Sequence, residues 1–469
     1  MNQFYTYTEV FAYPEEEVFF RYKALSRNKT HHVLLESGRT GRYHIIGLQP
    51  FKIVEGKNSS VFVQENGDVS SFEGNILDIL QIEMEKYKSF QLPEIGPFQG
   101  GAIGYFSYDC AKYIEKLPDL ANDDLGIPDM IWLFFRELYL FDKQTNQVTV
   151  LVLHKENEKE WAKDRAMKMK EEWLRNESDE MLDWGTYPSY ENKSFNEQEF
   201  SVAVEKIKNY ITAGDVFQVN LSVRQEQSIH VHPLFIYEQL REINPSPYMS
   251  YMQLGDMYMV SGSPELLIKK NGEYVSTRPI AGTRSRGKDD LEDQQLVDDL
   301  LQNEKEVAEH IMLVDLERND LGRVCEYGSV EVDELMVVEK YSHVMHIVSN
   351  VIGKLRSDTS ISNVVKAVFP GGTITGAPKI RTMEIIEELE PVKRGIYTGS
   401  IGWISFSGDM ELNIVIRTML VKNGVGYVQA GAGVVIDSYP EREYKESLKK
   451  ARAIHTAIEQ AHSKGADLS

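Results

Sequence analysis

The chain has 469 residues, 42% hydrophobic and 26% charged, an ordinary balance for a globular protein able to bury a large core. A net charge of −21 with no Lys/Arg stripe argues against a nucleic-acid partner, because phosphate contacts need clustered cations. The two distant cysteines, Cys110 and Cys325, exclude a disulfide framework and a cysteine-based zinc site, and they fit a reducing, cytoplasmic setting.

Length alone suggests roughly three domains, a rule that large α/β units break. The opening Met1-Asn-Gln-Phe-Tyr-Thr-Tyr7 has no basic region followed by an apolar run, so no signal peptide is expected. No membrane span is expected either, for want of a window of about 18 apolar residues. Residues 1–185 form the expected N-terminal region. Val33–Gly38, Tyr43–Gly47 and Phe51–Val54 read as strands, Ile76–Leu80 as the start of a helix, and Gly100–Ser107 as a glycine-rich strand. Strands at Ile131–Phe135 and Val148–Leu153 follow. Lys155–Asp183 reads as a charged helix and Gly185–Ser194 as a linker.

The second expected region spans 195–462. Asn196 and Glu199 form a capping box, Phe200, Val204, Ile207 and Ile211 trace one helical face, and Gly214 stops the helix. Residues 216–224 alternate apolar and polar, which predicts a strand with one wet face bearing Gln218 and Asn220. Pro233 suits a helix start. Strands are predicted near 249–254, 258–262, 274–278, 343–351 (carrying His343 and His346), 398–404, 411–419 and 426–430. One acidic helical region is predicted over 289–315, and 304–323 reads as a helix end entering a polar turn. Gly371–Lys379 reads as a loop entering a helix with Met383, Ile386 and Leu389 inward.

Two acidic patterns carry chemistry. Glu306 and Glu309 are three apart, and Glu443, Glu446 and Lys450 fall at i, i+3 and i+7, so each set shares one helical face. Stacked carboxylates repel unless a cation, proton or water intervenes. Four of them around one spot would suit Mg²⁺, which takes few carboxylates and keeps water. The alternative is two solvated faces in a chain with 72 acidic residues.

Other residues leave two readings open. Arg417, in an apolar strand, is either an internal ion-pair partner or a bidentate carboxylate clamp. Glu265, after a strand and Pro264, is an exposed loop acid or a general acid of raised pKa. His346 is a hydrogen-bonded core histidine or a proton carrier. The Gly371–Lys379 loop lacks the Walker pattern, and is either a helix-capping turn or a backbone N–H cradle for a carboxylate. No G-x-S-x-G elbow or Gly-flanked nucleophilic cysteine occurs, so a glutaminase triad is not expected on this chain.

Seven motifs occur in order: Gly214-Asp-Val-Phe-Gln218-Val-Asn-Leu, Pro245-Ser-Pro247-Tyr-Met249, Ser263-Pro-Glu265, Pro279-Ile-Ala-Gly-Thr283, Glu309 to Asp320, Gly376-Ala-Pro-Lys379 and Gly431-Ala-Gly433. Together they resemble the chorismate-utilising enzyme family over 30–460. The resemblance implies an α/β (α+β) fold, an anthranilate-synthase-like sandwich of large, mostly antiparallel sheets with outer helices. It implies Glu309 and Glu446 as Mg²⁺ ligands, with Glu306 and Glu443 reaching the ion through water. Arg417 and Tyr397 would clamp the enolpyruvyl carboxylate of chorismate. Gly282, Thr283, Thr373, Gly431, Ala432 and Gly433 would line the pocket. Glu265 would protonate the departing C4 hydroxyl, with His346 nearby and Lys450 beside the second acid.

Gln218 stands where water-adding members carry a Lys base, which favours ammonia as nucleophile. A separate glutamine amidotransferase subunit would supply that ammonia. The resemblance is to the branch that makes 4-amino-4-deoxychorismate for folate, with the anthranilate-forming branch as sibling. Ala281 departs from members that carry a Lys nucleophile there, and matches the sibling. Ser37, Pro247 and Met249 resemble parts of the sibling's tryptophan site, unless they are a structural remnant. A distant alternative is a non-catalytic tryptophan-sensing or scaffold protein. It is disfavoured because Glu265, Glu309, Arg417 and Glu446 are all present.

Overall fold

The computed structural model describes residues 2–38, 41–175, 182, 184–340 and 344–466. Two sheets, of 13 and 12 strands, form the body, and helices cover their outer faces. Among the described strands every ladder is antiparallel except that between Asn2–Ala12 and Tyr87–Ser89. The expected mixed sandwich is therefore the observed architecture. Both sheets draw strands from either side of the 185–195 stretch: His31–Glu36 pairs with Tyr248–Leu254, and Gly101–Phe106 with Ser400–Ser405.

Strand periodicity shows how the layers form. Met130–Phe135 is buried throughout. Its Ile131, Leu133 and Phe135 face a core between the two sheets, together with Val33, Ile45, Met252 and Met259. Its Met130, Trp132 and Phe134 face the opposite way, into a core closed by the helices Ile76–Glu85 and Ile361–Val368. A strand buried on both faces needs apolar residues at every position, and this sequence supplies them. The helices Glu15–Ser26, Lys159–Leu174, Pro233–Ile243 and Arg452–Ala466 close the outer face of the 13-stranded sheet.

Local signals settle several helix ends. Asn196 completes the capping box with Glu199, Gly214 ends that helix at φ +84, and Pro233 opens the next. Other expectations need correction. The acidic region 289–315 is two helices, Asp290–Gln302 and Glu304–Gly322. They break at Asn303, which is extended (ψ 104°) and whose side chain accepts the Glu306 N–H. Thus 304–323 holds a whole helix, Glu304–Gly322, that starts at its own cap and ends at Arg323, rather than only the end of a longer one.

The Gly185–Ser194 linker contains a strand, Glu191–Lys193, paired to Gln225–Gln227. Of the charged segment 155–183, Lys159–Leu174 is helical, whereas 176–181 and 183 lie outside the described residues, as does His343. Gln218–Ser228 has no wet face: Gln218, Asn220, Ser222 and Arg224 are all buried. Groups distant in sequence satisfy some of these side chains, as when Ser222 donates to Glu390 and Arg224 to Asp124, whereas the buried Asn220 Oδ1 has no partner.

The strand expected over 411–419 is two strands in different sheets. Met410–Asn413 belongs to the 12-stranded sheet and Thr418–Lys422 to the 13-stranded one. Residues 414–417 carry the chain across, and Arg417 takes φ +49, unusual for a residue with a Cβ.

Candidate active site

A second crossing lies beside the first. Met257–Ser263 ends in the 13-stranded sheet and Leu266–Asn271 starts in the 12-stranded one, which leaves Pro264 and Glu265 between them. The two crossings are tied by the Ile414 N–H donating to the Glu265 carbonyl (3.0 Å) and by Ser263 Oγ donating to the Ile414 carbonyl (2.5 Å). Chain that leaves one sheet for the other turns side chains into the seam. Glu265 and Arg417 are placed in this way.

Glu265 is 6% exposed, and its Oε1 is buried with no hydrogen-bond partner. Burial pushes its carboxyl up to about 7, against the opposing pull of Thr373, Arg417 and Lys450 nearby. The Thr373 hydroxyl is buried beside the Glu265 carboxyl, near enough to lower its pKa, but makes no bond of ordinary hydrogen-bond geometry. Two polar groups without a well-formed bond at one spot are costly to bury unless a ligand completes them.

His346 stands across Arg417. Its Nδ1 lies 3.0 Å from the Gly282 carbonyl and 3.0 Å from the Thr283 hydroxyl. A carbonyl only accepts, so Nδ1 carries the proton and Nε2 is the basic nitrogen. Burial lowers the His346 pKa; the Gly282 carbonyl opposes this and Arg417 reinforces it. The ring is neutral at pH 7. Gly282 takes φ +65 and lies against Glu306, whose carboxylate pairs with Arg284 (3.2 Å).

The strand Val425–Val434 forms the floor. A Cβ on Gly431 would stand 2.5 Å from Asn220 Oδ1 and 3.0 Å from the Tyr397 hydroxyl, and one on Gly433 would stand 2.4 Å from Gln218 Nε2. Both glycines make room for polar side chains. Ala432 alternates with them, so its methyl points to the other face and only its backbone adjoins the site. Gln218 Nε2 reaches Glu309 Oε1 at 3.4 Å. Lys450 Nζ donates to the Gly431 carbonyl (3.0 Å) and pairs with Glu446 (3.0 Å). Burial raises the Glu443 carboxyl, Ser438 opposes it, Glu446 adds to it, and Lys305 and Lys450 pull it back.

Glu306 lies against Gly282 and Glu309 against Gln218, whereas Glu443 and Glu446 sit on the helix that packs on Val425–Val434; Lys305, next to Glu306, is close enough to Glu443 to lower its pKa. Among the described residues no three His, Cys, Asp or Glu side chains close into a metal cage. Carboxylate oxygens are the donor type that Mg²⁺ takes, so Glu309 and Glu446 fit that ion by chemistry, with water and substrate oxygens left to complete its sphere.

Gly371–Lys379 is partly ordered by pairing, because Gly376 and Ala377 add to the strand that holds Gln218. Lys379 turns to Asp320 (2.5 Å) and the Val368 carbonyl (3.1 Å), away from any anion role. Ser37, Pro247 and Met249 come together in a separate cavity of about 470 Å³, with Glu36, Lys269 and Trp403.

Asn220, expected on the same face as Gln218 from the strand alternation, is buried beside the site. Two buried residues beside the site were not singled out from sequence: Glu317 and Arg394. Glu317 lies within the Glu309–Asp320 motif. Burial, then the charges of Glu265 and Asp320, raise its carboxyl well above the ordinary range, while Lys379 opposes.

The chorismate binding enzyme family matches residues 30–456. Aminodeoxychorismate synthase component 1 of Bacillus subtilis (strain 168) is 50% identical over 448 residues, covering 94% of each chain. Anthranilate synthase component 1 of Acetivibrio thermocellus is 44% identical, over 91% of this chain and 90% of that one. The crystal structure of anthranilate synthase component I from Streptococcus pneumoniae TIGR4 superimposes with a TM-score of 0.80 at 37% identity, covering 88% of this chain and 92% of that one. A buried acid and an arginine at paired sheet crossings, over a glycine floor flanked by acidic helices, thus occur in a chain that belongs to the chorismate binding enzyme family.

Proposed function

We propose that this protein replaces the C4 hydroxyl of chorismate with an amino group from ammonia, giving 4-amino-4-deoxychorismate. The observation that carries this reading is Glu265, a buried carboxyl with an unpartnered oxygen and a pKa of about 7, set beside Arg417. A carboxyl so placed keeps a proton near neutral pH and can give it to a leaving oxygen. The C–N bond forms, the C–O bond breaks, the Glu265 proton leaves with the hydroxyl as water, and the proton shed by nitrogen restores the acid. The 50% identity to an aminodeoxychorismate synthase component 1 supports the choice of product.

Arg417 and Tyr397 hold the enolpyruvyl carboxylate in this reading, and Thr283 and Thr373 flank the ring. Gln218 is a neutral amide where a water-activating base would stand, which leaves ammonia, already a nucleophile, as the attacking group. Glu309 and Glu446 would hold Mg²⁺ directly, with Glu306 and Glu443 acting through water. The ion would neutralise the ring carboxylate in an otherwise acidic protein. Such fixing of both carboxylates is what converts a loose encounter into an oriented one. A separate subunit supplies the ammonia, consistent with the "component 1" naming of the relatives.

Ala281 favours a second reading, anthranilate as product, since no lysine amine is available at that position for a covalent route. The cavity around Ser37, Pro247 and Met249 favours it too, as an amino-acid-sized regulatory site. Purified protein given chorismate, ammonium and Mg²⁺ tests both readings by chromatography. An amine that becomes para-aminobenzoate only when aminodeoxychorismate lyase is added supports the first. Fluorescent anthranilate without lyase establishes the second.

A further inference from the structure

Arg394 is 3% exposed, and all five of its N–H donors are engaged. Nε and Nη2 grip Glu390 at 3.0 and 2.8 Å. Nη1 donates to the Ile374 carbonyl (3.0 Å) and the Thr398 hydroxyl (3.2 Å), and Nη2 also donates to the Asn220 carbonyl (2.7 Å). The Tyr108 and Tyr397 rings lie 4.9 and 5.4 Å from its guanidinium carbon. Glu390 is completed by the N–H and hydroxyl of Ser222, at 3.0 and 2.7 Å.

A buried ion pair is by itself weak evidence of purpose, since an apolar pair often serves stability as well. What distinguishes this one is where its bonds end. Ile374 follows Thr373, Thr398 follows Tyr397, and Asn220 lies two residues from Gln218. Three separate stretches that supply the pocket therefore meet on one planar fork. Thr398 also holds φ +60, a conformation that an L-residue keeps only when its surroundings enforce it. A lysine would keep the charge but could not reproduce the fork.

We infer that Arg394 is a positioning residue of the chorismate pocket: with Glu390, it fixes the Tyr397 ring and the Thr373 stretch at the spacing that grips the substrate carboxylate. This rests on the reading of the site as a chorismate site. Arg394 touches no substrate, so it acts on affinity through Tyr397.

The test is steady-state kinetics with chorismate, ammonium and Mg²⁺ on Arg394→Lys, Glu390→Gln, Tyr397→Phe and the Arg394→Lys/Tyr397→Phe double variant, each checked by circular dichroism and thermal melting. Arg394→Lys is expected to raise the chorismate KM at least tenfold with kcat within threefold. The double variant is expected to stay within twofold of the worse single one, because both act on one grip. Glu390→Gln keeps the shape and most hydrogen bonds, and a three- to tenfold rise in KM is expected there. It carries the test if Arg394→Lys does not fold. A lowered melting temperature with KM within twofold of wild type overturns the inference, as do KM effects that multiply in the double variant. A wild-type protein that neither binds nor consumes chorismate overturns the functional reading and this inference together. Wild-type turnover with an unmoved KM in the variants overturns the inference alone.

Discussion

Glu265 and Arg417 occupy neighbouring points at which the chain leaves one sheet for the other, and the Ile414 N–H bound to the Glu265 carbonyl at 3.0 Å holds the two crossings in register. An acid and a cation are thus presented from the seam of a sandwich, on backbone braced by both sheets. Placement on a rigid seam gives reactive groups a fixed geometry that loops seldom achieve.

The raised Glu265 pKa predicts a pH dependence. The protonated form is the active acid, so kcat/KM for chorismate, at constant free ammonia, falls as pH rises through about 7. The same shift predicts a stability effect of known sign. The folded state binds more protons than the unfolded one between the ordinary carboxyl pKa and about 7, so stability declines across that window. Glu265→Gln removes this burden, roughly 3 kcal/mol at pH 8 and little at pH 4. Melting curves at the two pH values check it; equal shifts at both contradict it.

The floor glycines should differ in tolerance. A Cβ on Gly431 meets the Leu221 carbonyl at 2.7 Å, which is backbone and cannot yield. A Cβ on Gly433 meets only the flexible Gln218 end within 3.0 Å. Gly431→Ala is expected to lose at least a hundredfold in kcat/KM, and Gly433→Ala at most tenfold. Matched losses in folded proteins would contradict the geometry.

The proposed Mg²⁺ site predicts metal dependence. Chelation should abolish turnover, and Mg²⁺ should restore it. Glu309→Gln should raise the Mg²⁺ concentration for half-activity at least tenfold, since it exchanges a charged ligand for a neutral one. An unchanged Mg²⁺ titration would remove Glu309 from the metal site.

The cavity at Ser37, Pro247 and Met249 is borne by strands and has a built wall: the Glu36 carboxylate accepts two bonds from Arg241, at 2.6 and 2.8 Å, and one from Tyr237, at 2.7 Å. If it is a regulatory site, L-tryptophan at a hundredfold excess over its Kd stabilises the fold by about 2.7 kcal/mol and lifts the melting temperature. No shift at millimolar tryptophan identifies the cavity as a remnant.

Much of the fold was legible because its signals are local. The Asn196 box, the Gly214 stop and the Pro233 start depend on a few adjacent residues. The crossing at Arg417 was not legible, because Asn413–Thr418 reads as unbroken strand and a change of sheet is decided by tertiary pairing. The buried polar face of Gln218–Ser228 was misread for a related reason: its partners, Asp124 and Glu390, are distant in sequence. The same distance hid Arg394, whose bonds end at Asn220, Ile374 and Thr398.

The most direct test of the central claim is the kinetic split of Glu265→Gln with chorismate, ammonium and Mg²⁺. Loss of the proton donor should lower kcat by about 10²–10⁴-fold while the chorismate KM stays within threefold. A kcat within threefold of wild type, or a loss confined to KM, would show that Glu265 is not the acid on which this account depends.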